Sequence, residues 1–169
     1  MPFTEQDRKR QMTLVSEIES QSDRGVAIIG ASWVEEALRV AIKSKLECDD
    51  EAVWNKLFEN SGPLSSFSAK IDIARLLGIF DRDVYSGLHA IRKIRNEFAH
   101  AITGKDLGAI TFATPHISDR CPSLKIVAGE KHSNPRTAFI RACAVLNSDL
   151  YIYALTQLEP VTARNRVNG

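Results

Sequence analysis

The 169-residue sequence is short of the residues that break helices. Nine glycines and six prolines make up about 9% of the chain, against roughly 12% in average usage. Few tight turns are encoded, and long helices become the leading expectation. Cysteine is scarce too. Cys48, Cys121 and Cys143 are odd in number and widely spaced, with no CxxC pair. They give no disulfide framework and no thiolate metal half-site, and fit reduced thiols in a cytoplasmic protein. Neither sign of charge is in excess: 22 Lys+Arg against 21 Asp+Glu leave a net charge of +1. Binding of a polyanion through bulk charge is therefore disfavoured, and only a local basic face stays open. The longest apolar run lies near Val26–Ala31, far below the ~20 residues of a membrane span, so no membrane association is expected. The opening MPFTEQDRKR is charged and lacks the apolar stretch of a secretory signal.

What is there is an ordinary globular balance, 44% hydrophobic and 25% charged. The expectation is an all-α bundle of about six helices, forming one domain over 1–159 with a frayed tail at 160–169. Thr4 can cap a first helix to about Ser20, with Met12, Val15 and Ile18 inward. Ser22 or Asp23 can cap a second helix to about Leu46. Its polar residues Ser32, Glu35, Glu36, Arg39 and Lys43 form one narrow stripe, so the helix should be central and wetted along a single edge. Glu35 and Arg39, four apart, can pair on that stripe. Asp49 or Asp50 opens a short helix with Val53, Trp54, Leu57 and Phe58 inward. Ser65 or Ser66 opens another, ended by Gly78. Asp81 caps a helix from about Arg82 to Ala101, with the apolar stripe Val84, Leu88, Ile91, Ile94, Phe98 and Ile102. Helical period is lost over about 103–134, a long irregular excursion in which Ala109–Ala113 and Leu124–Ala128 can pair as a hairpin. Asn134 followed by Pro135 starts a last helix to about Leu158, and Pro160 closes it.

The best chemical candidate is RNEFAH, Arg95 to His100. Asn96 and His100 share a helix face, while Arg95 lies about 140° around the axis from His100. One copy of the helix does not aim both groups at one phosphate; two copies across a twofold axis do. The matching chemistry is metal-independent RNA cleavage. His100 takes the proton from a ribose 2′-hydroxyl, Arg95 stabilises the charge on the phosphorane, and Asn96 holds the phosphate or orients His100. Arg92 and Lys93 add binding cations. Plainer roles exist for all of them: cations suit the C-terminal part of a helix, and Arg95, Asn96 and Glu97 can make ordinary surface pairs. Other groupings are weaker. His116, Cys121 and His132 have irregular spacing for a metal site, and no metal or cofactor is expected. Asp119, Arg120 and Cys121 read first as an ion pair beside a structural thiol. Ser65, Ser66 and Ser68 read as caps, His89 as a partly buried helix residue, and Trp33 and Trp54 as core or interface anchors.

The stretch GPLSSFSAKIDIARLLGIFDRDVYSGLHAIRKIRNEFAH (62–100) resembles the mannitol-operon-repressor family of bacterial regulators. DRGVAIIGASWVEEAL upstream and TFATPHISDRC downstream fit the same pattern, so the likeness spans roughly 23–122. It implies an all-α bacterial cytoplasmic protein that regulates transcription through a partner, without a DNA-reading motif of its own. The missing helix-turn-helix and the near-zero charge agree with this, and no direct sequence-specific DNA binding is expected. Arg95, Asn96 and His100 also match, position by position, the motif of nucleases in the HEPN superfamily (higher-eukaryote and prokaryote nucleotide-binding domains). Two expectations stand side by side: a homodimeric regulator that binds another protein, and a HEPN-type ribonuclease acting on RNA across a homodimer interface. A third, ligand sensing in a pocket under the 103–134 excursion, has no cofactor motif behind it.

Overall fold

The computed structural model describes residues 5–47, 49–101, 110–129, 133–157 and 160–163. Among these, eight helices follow in chain order: α1 (Glu5–Glu19), α2 (Asp23–Lys45), α3 (Glu51–Phe58), α4 (Phe67–Leu76), α5 (Arg82–His100), α6 (Pro115–Ser118, a single turn), α7 (Cys121–Ala128) and α8 (Pro135–Thr156). The fold is all-α, and no named strand occurs among the described residues. Helix starts sit where short polar side chains replace the missing backbone partners. Ser22, Asp50, Ser66, Asp81 and Asn134 each accept a backbone N–H of the following turn. Thr4 lies outside the described residues.

The centre of the bundle is α2 with α8 lying along it in the same direction. Contacts advance together on both helices: Asp23 with Arg136, Gly30 with Phe139 and Cys143, the Trp33 carbonyl with Asn147, and Ser44 with Ala154. Gly30 sets the closeness of the pair, because a Cβ there would stand 3.0 Å from Phe139 Cε1 and 3.2 Å from Cys143 Sγ. By length and composition α8 is apolar enough to cross a bilayer. Half of its most apolar 18-residue window is buried within the bundle, as in the core helix of a packed domain. α5 runs against α2, and α4 and α7 flank α5 on opposite sides. Gly87 does for α5 and α7 what Gly30 does for the central pair. A Cβ at Gly87 would come within 2.6 Å of Val127 Cγ2.

Several expectations are corrected. The excursion is not irregular throughout, because α6 and α7 lie inside it, which brings the helices among the described residues to eight. The hairpin does not form: Leu124–Ala128 belongs to α7, which has Pro122 in its first turn and the left-handed Gly129 at its end (φ +72°). Residues 110–113 form a turn that sends Phe112 into the core, 5.1 Å from the Phe98 ring and 5.2 Å from that of Phe139. Ala109 and Gly104 lie outside the described residues. Residues 160–163 are packed rather than frayed. Val161 is buried and forms an isolated parallel bridge with Phe80, and Ala163 is buried beside it. Met12 and Val53 face solvent, at 74% and 49% exposure, rather than the core.

Candidate functional site

On α5 the residues Val84, Gly87, Leu88, Ile91, Ile94 and Phe98 are buried. Their spacing of three and four leaves His89, Arg92, Lys93, Asn96 and His100 on the outer face. Neighbouring elements then sort the polar groups into three sets.

The first set lies toward α2 and α4. Arg95 donates through Nη1 to Asn96 Oδ1 at 3.1 Å and through Nη2 to Glu35 Oε2 at 3.4 Å. The other oxygen of Glu35 accepts Lys70 Nζ at 2.8 Å, and Lys70 also donates to the Ser65 carbonyl at 2.9 Å. The Lys70 side chain is 9% exposed. A cation that deep is tolerated only with partners, and here it has two. Glu35 thus bridges two cations, one from α4 and one from α5. The expected Glu35–Arg39 pair does not form. Arg39 instead binds both oxygens of Glu36, at 2.9 and 2.8 Å, and lies 3.8 Å from Glu59. The polar stripe of α2 floors a groove of about 440 Å³ lined by Ser32, Glu35, Glu36, Arg39, Glu59 and Lys70. The Arg39 guanidinium beside Glu36 holds that carboxyl below the usual range.

The second set lies between α4 and α5. Asp72 Oδ1 accepts Tyr85 Oη at 2.9 Å and lies 3.3 Å from His89 Nε2. Arg92 Nε donates to His89 Nδ1 at 3.4 Å. With Nδ1 accepting, the proton of the neutral ring sits on Nε2 and points at Asp72. Burial pushes the His89 pKa below 6.5, against the pull of Asp72 and with help from Arg92 and Lys93. A lowered folded-state pKa means that the unfolded chain binds the proton more readily. The stabilisation from neutral His89 is present above about pH 6.5 and is lost as the pH falls through the folded-state value. Titration of ring proton shifts should therefore show His89 changing below pH 6.5, and His89→Asn should flatten the acid limb of stability between pH 7 and 5. A ring that titrates above the ordinary histidine value contradicts this.

The third set faces α6 and α7. Glu97 lies 3.3 Å from Arg120 Nη2 and 3.8 Å from His116 Nε2.

Arg95 and Asn96 are therefore brought together and joined to Glu35. His100 sits on the exposed last turn of α5, and one chain does not bring it to the flank where Arg95 is held. Arg92 orders His89, and Lys93 is exposed. Cys121 is a buried thiol whose pKa burial raises to about 11, and burial pushes the Cys143 thiol up further. Neither is a poised nucleophile. No cluster of three or more His, Cys, Asp or Glu suited to a metal occurs among the described residues. Cys48 and His132 lie outside them. Ser66 is a cap, and Ser65 supplies a carbonyl to Lys70. Trp54 is buried and stacked on Phe58 at 3.9 Å, while Trp33 is partly buried against the core.

Sequence reasoning missed Lys70 and Asp72, and the partners on other helices that Glu35 and Glu97 take. A signal for one pair was present: Lys70 occupies an inward position, three after Phe67 and one before Ile71, where a cation needs a carboxylate from a neighbouring helix. No protein-family model, curated protein or solved structure matches the chain.

Proposed function

We propose that this chain is a non-enzymatic regulatory protein of the mannitol-repressor-like kind. It acts on bacterial transcription as a cytoplasmic homodimer that binds another protein, with no DNA-reading element of its own. The observation that carries this reading is the commitment of Arg95 to Glu35 and Asn96 within one chain. The cleavage chemistry read from RNEFAH needs the Arg95 guanidinium aimed at the reacting phosphate. Here the guanidinium is partly neutralised by Glu35, which also holds Lys70, beside a second group in which Arg39 meets Glu36 and Glu59. Such a charge-balanced, ordered polar face suits docking against a complementary protein surface, where charges set specificity and register. The long resemblance over 23–122 and the net charge of +1 support the same reading.

The test is removal of the gene from its host, followed by transcript profiling. A small set of operons should rise severalfold, and the wild-type gene and a His100→Ala version should restore them equally. The purified protein alone should not shift promoter DNA from those operons. An unchanged profile, or restoration that requires His100, overturns the proposal.

A second reading is supported by the Arg95–Asn96 hydrogen bond and the exposed position of His100 on the same helix. In it, two copies place His100 of one against Arg95 of the other. His100 accepts the 2′-hydroxyl proton, the 2′-oxygen bonds to phosphorus as the 5′-oxygen leaves and takes a proton from water, and Arg95 leaves Glu35 for the phosphorane oxygens on the way to a 2′,3′-cyclic phosphate.

A further inference from the structure

We propose that the groove between α5 and the start of α7 is a binding site for a small phosphate-bearing ligand. The groove measures about 500 Å³, and its lining includes Ser86, His89, Lys93, Asp119, Arg120 and Ser123. That volume lies in the range of small-ligand sites. It lies on the opposite side of α5 from the Glu35–Lys70–Arg95 network, and the inference does not depend on the chain acting in transcription.

Three observations point to an anion. Lys93 is exposed at the groove and makes no ion pair among the described residues. Arg120 lines the same groove, and its one ion-pair partner among the described residues, Glu97, takes one of its terminal nitrogens at 3.3 Å. With Nη2 on Glu97 and Nε buried without a partner, Nη1 is the donor that Arg120 has left for a phosphate. The wall formed by Pro122 and Ser123 is the first turn of α7, which no side chain caps. Pro122 has no N–H, so this turn offers the Ser123 amide and the positive end of the helix dipole beside the two cations.

The remaining polar groups fix what else the ligand carries. His89 spends Nε2–H on Asp72 and Nδ1 on Arg92, so it forms a neutral wall rather than a third cation. Ser86 Oγ donates to the Arg82 carbonyl and Ser123 Oγ to the Arg120 carbonyl, which leaves both oxygens as acceptors toward the groove. Asp119 adds a carboxylate acceptor to the lining. A phosphate on the Lys93–Arg120 side, carried on a body with hydroxyl or amino donors, satisfies both halves of the groove. A bare inorganic anion satisfies only one. The ligand class is therefore a phosphate monoester of a polar small molecule.

The experiment follows backbone amide shifts of the full chain at constant ionic strength while inorganic phosphate, AMP or adenosine is added. Saturable shifts centred on Ser86, Lys93 and Ser123 are expected with AMP, weaker ones with inorganic phosphate, and none with adenosine. Lys93→Gln should weaken AMP binding about tenfold, the loss of one charge-assisted contact. Lys56→Gln, which removes an exposed cation on α3, should leave it unchanged. Lys93 makes no ion pair among the described residues that folding depends on, so the variant should keep the wild-type melting temperature. Equal weakening by both variants, a response to adenosine equal to that for AMP, shifts centred on Asn96 and His100, or no saturable shift with any probe would each overturn the assignment.

Discussion

Replacing Phe139 by alanine is expected to lower the unfolding free energy by about 3–5 kcal/mol. The ring is fully buried and stands where three parts of the fold meet. It lies against α2 at Gly30, and its centroid is 5.2 Å from that of Phe112, which in turn is 5.1 Å from Phe98 on α5. Truncation removes apolar area from the core and opens a cavity that neighbours on three elements cannot close together. Gly30 makes the site less forgiving, since α2 and α8 are already in close approach and cannot move nearer along that line. For a domain whose whole stability is on the order of 5–15 kcal/mol, this is a large fraction. Denaturant unfolding should show a lower midpoint with an unchanged slope. A loss below about 1 kcal/mol would mean that the aromatic row does not hold the 110–113 turn and α5 onto the central pair.

The second large effect is expected at Glu35. Glu35→Ala should cost about 2–4 kcal/mol, somewhat less than a fully buried pair because the carboxylate is partly exposed. The cost arises chiefly at Lys70, whose buried ammonium keeps, among the described residues, the Ser65 carbonyl alone when Glu35 is gone. The reciprocal change is gentler. Lys70→Met puts an apolar side chain of similar length among Phe67, Ile71 and Ala74, and Glu35 keeps Arg95. Its cost should be about 1 kcal/mol. The asymmetry is the informative quantity, and denaturant unfolding of the two variants measures it. Equal costs for both would show that Lys70 does not depend on Glu35.

The helix starts were legible because the signal is local. A short polar side chain at the first turn satisfies orphan N–H groups wherever it occurs, and Ser22, Asp50, Ser66, Asp81 and Asn134 do so. The α7 segment was misread for an equally local reason. Ile126 and Val127 favour strands, but Pro122 and Gly129 frame them as a helix, and the framing residues prevailed. Burial of Val161 against Phe80 was not legible, because it depends on where the chain returns after α8. The site follows the same division. That Arg95 and His100 diverge around α5 follows from helical geometry and holds. The partner of Glu35 was assigned by spacing to Arg39, yet the fold gives Glu35 to Lys70 and Arg95, 35 and 60 residues away in sequence. Spacing reveals partners on one helix and is blind to those on the next.

The most direct test of a recognition face, as opposed to a cleaving one, is incubation of the purified wild-type protein and His100→Ala with single-stranded RNA in the absence of added metal. If Arg95 is held by Glu35 and Asn96 for docking, the RNA remains intact with both proteins. RNA cut by the wild type to 2′,3′-cyclic phosphate ends, and left whole by His100→Ala, would contradict the account.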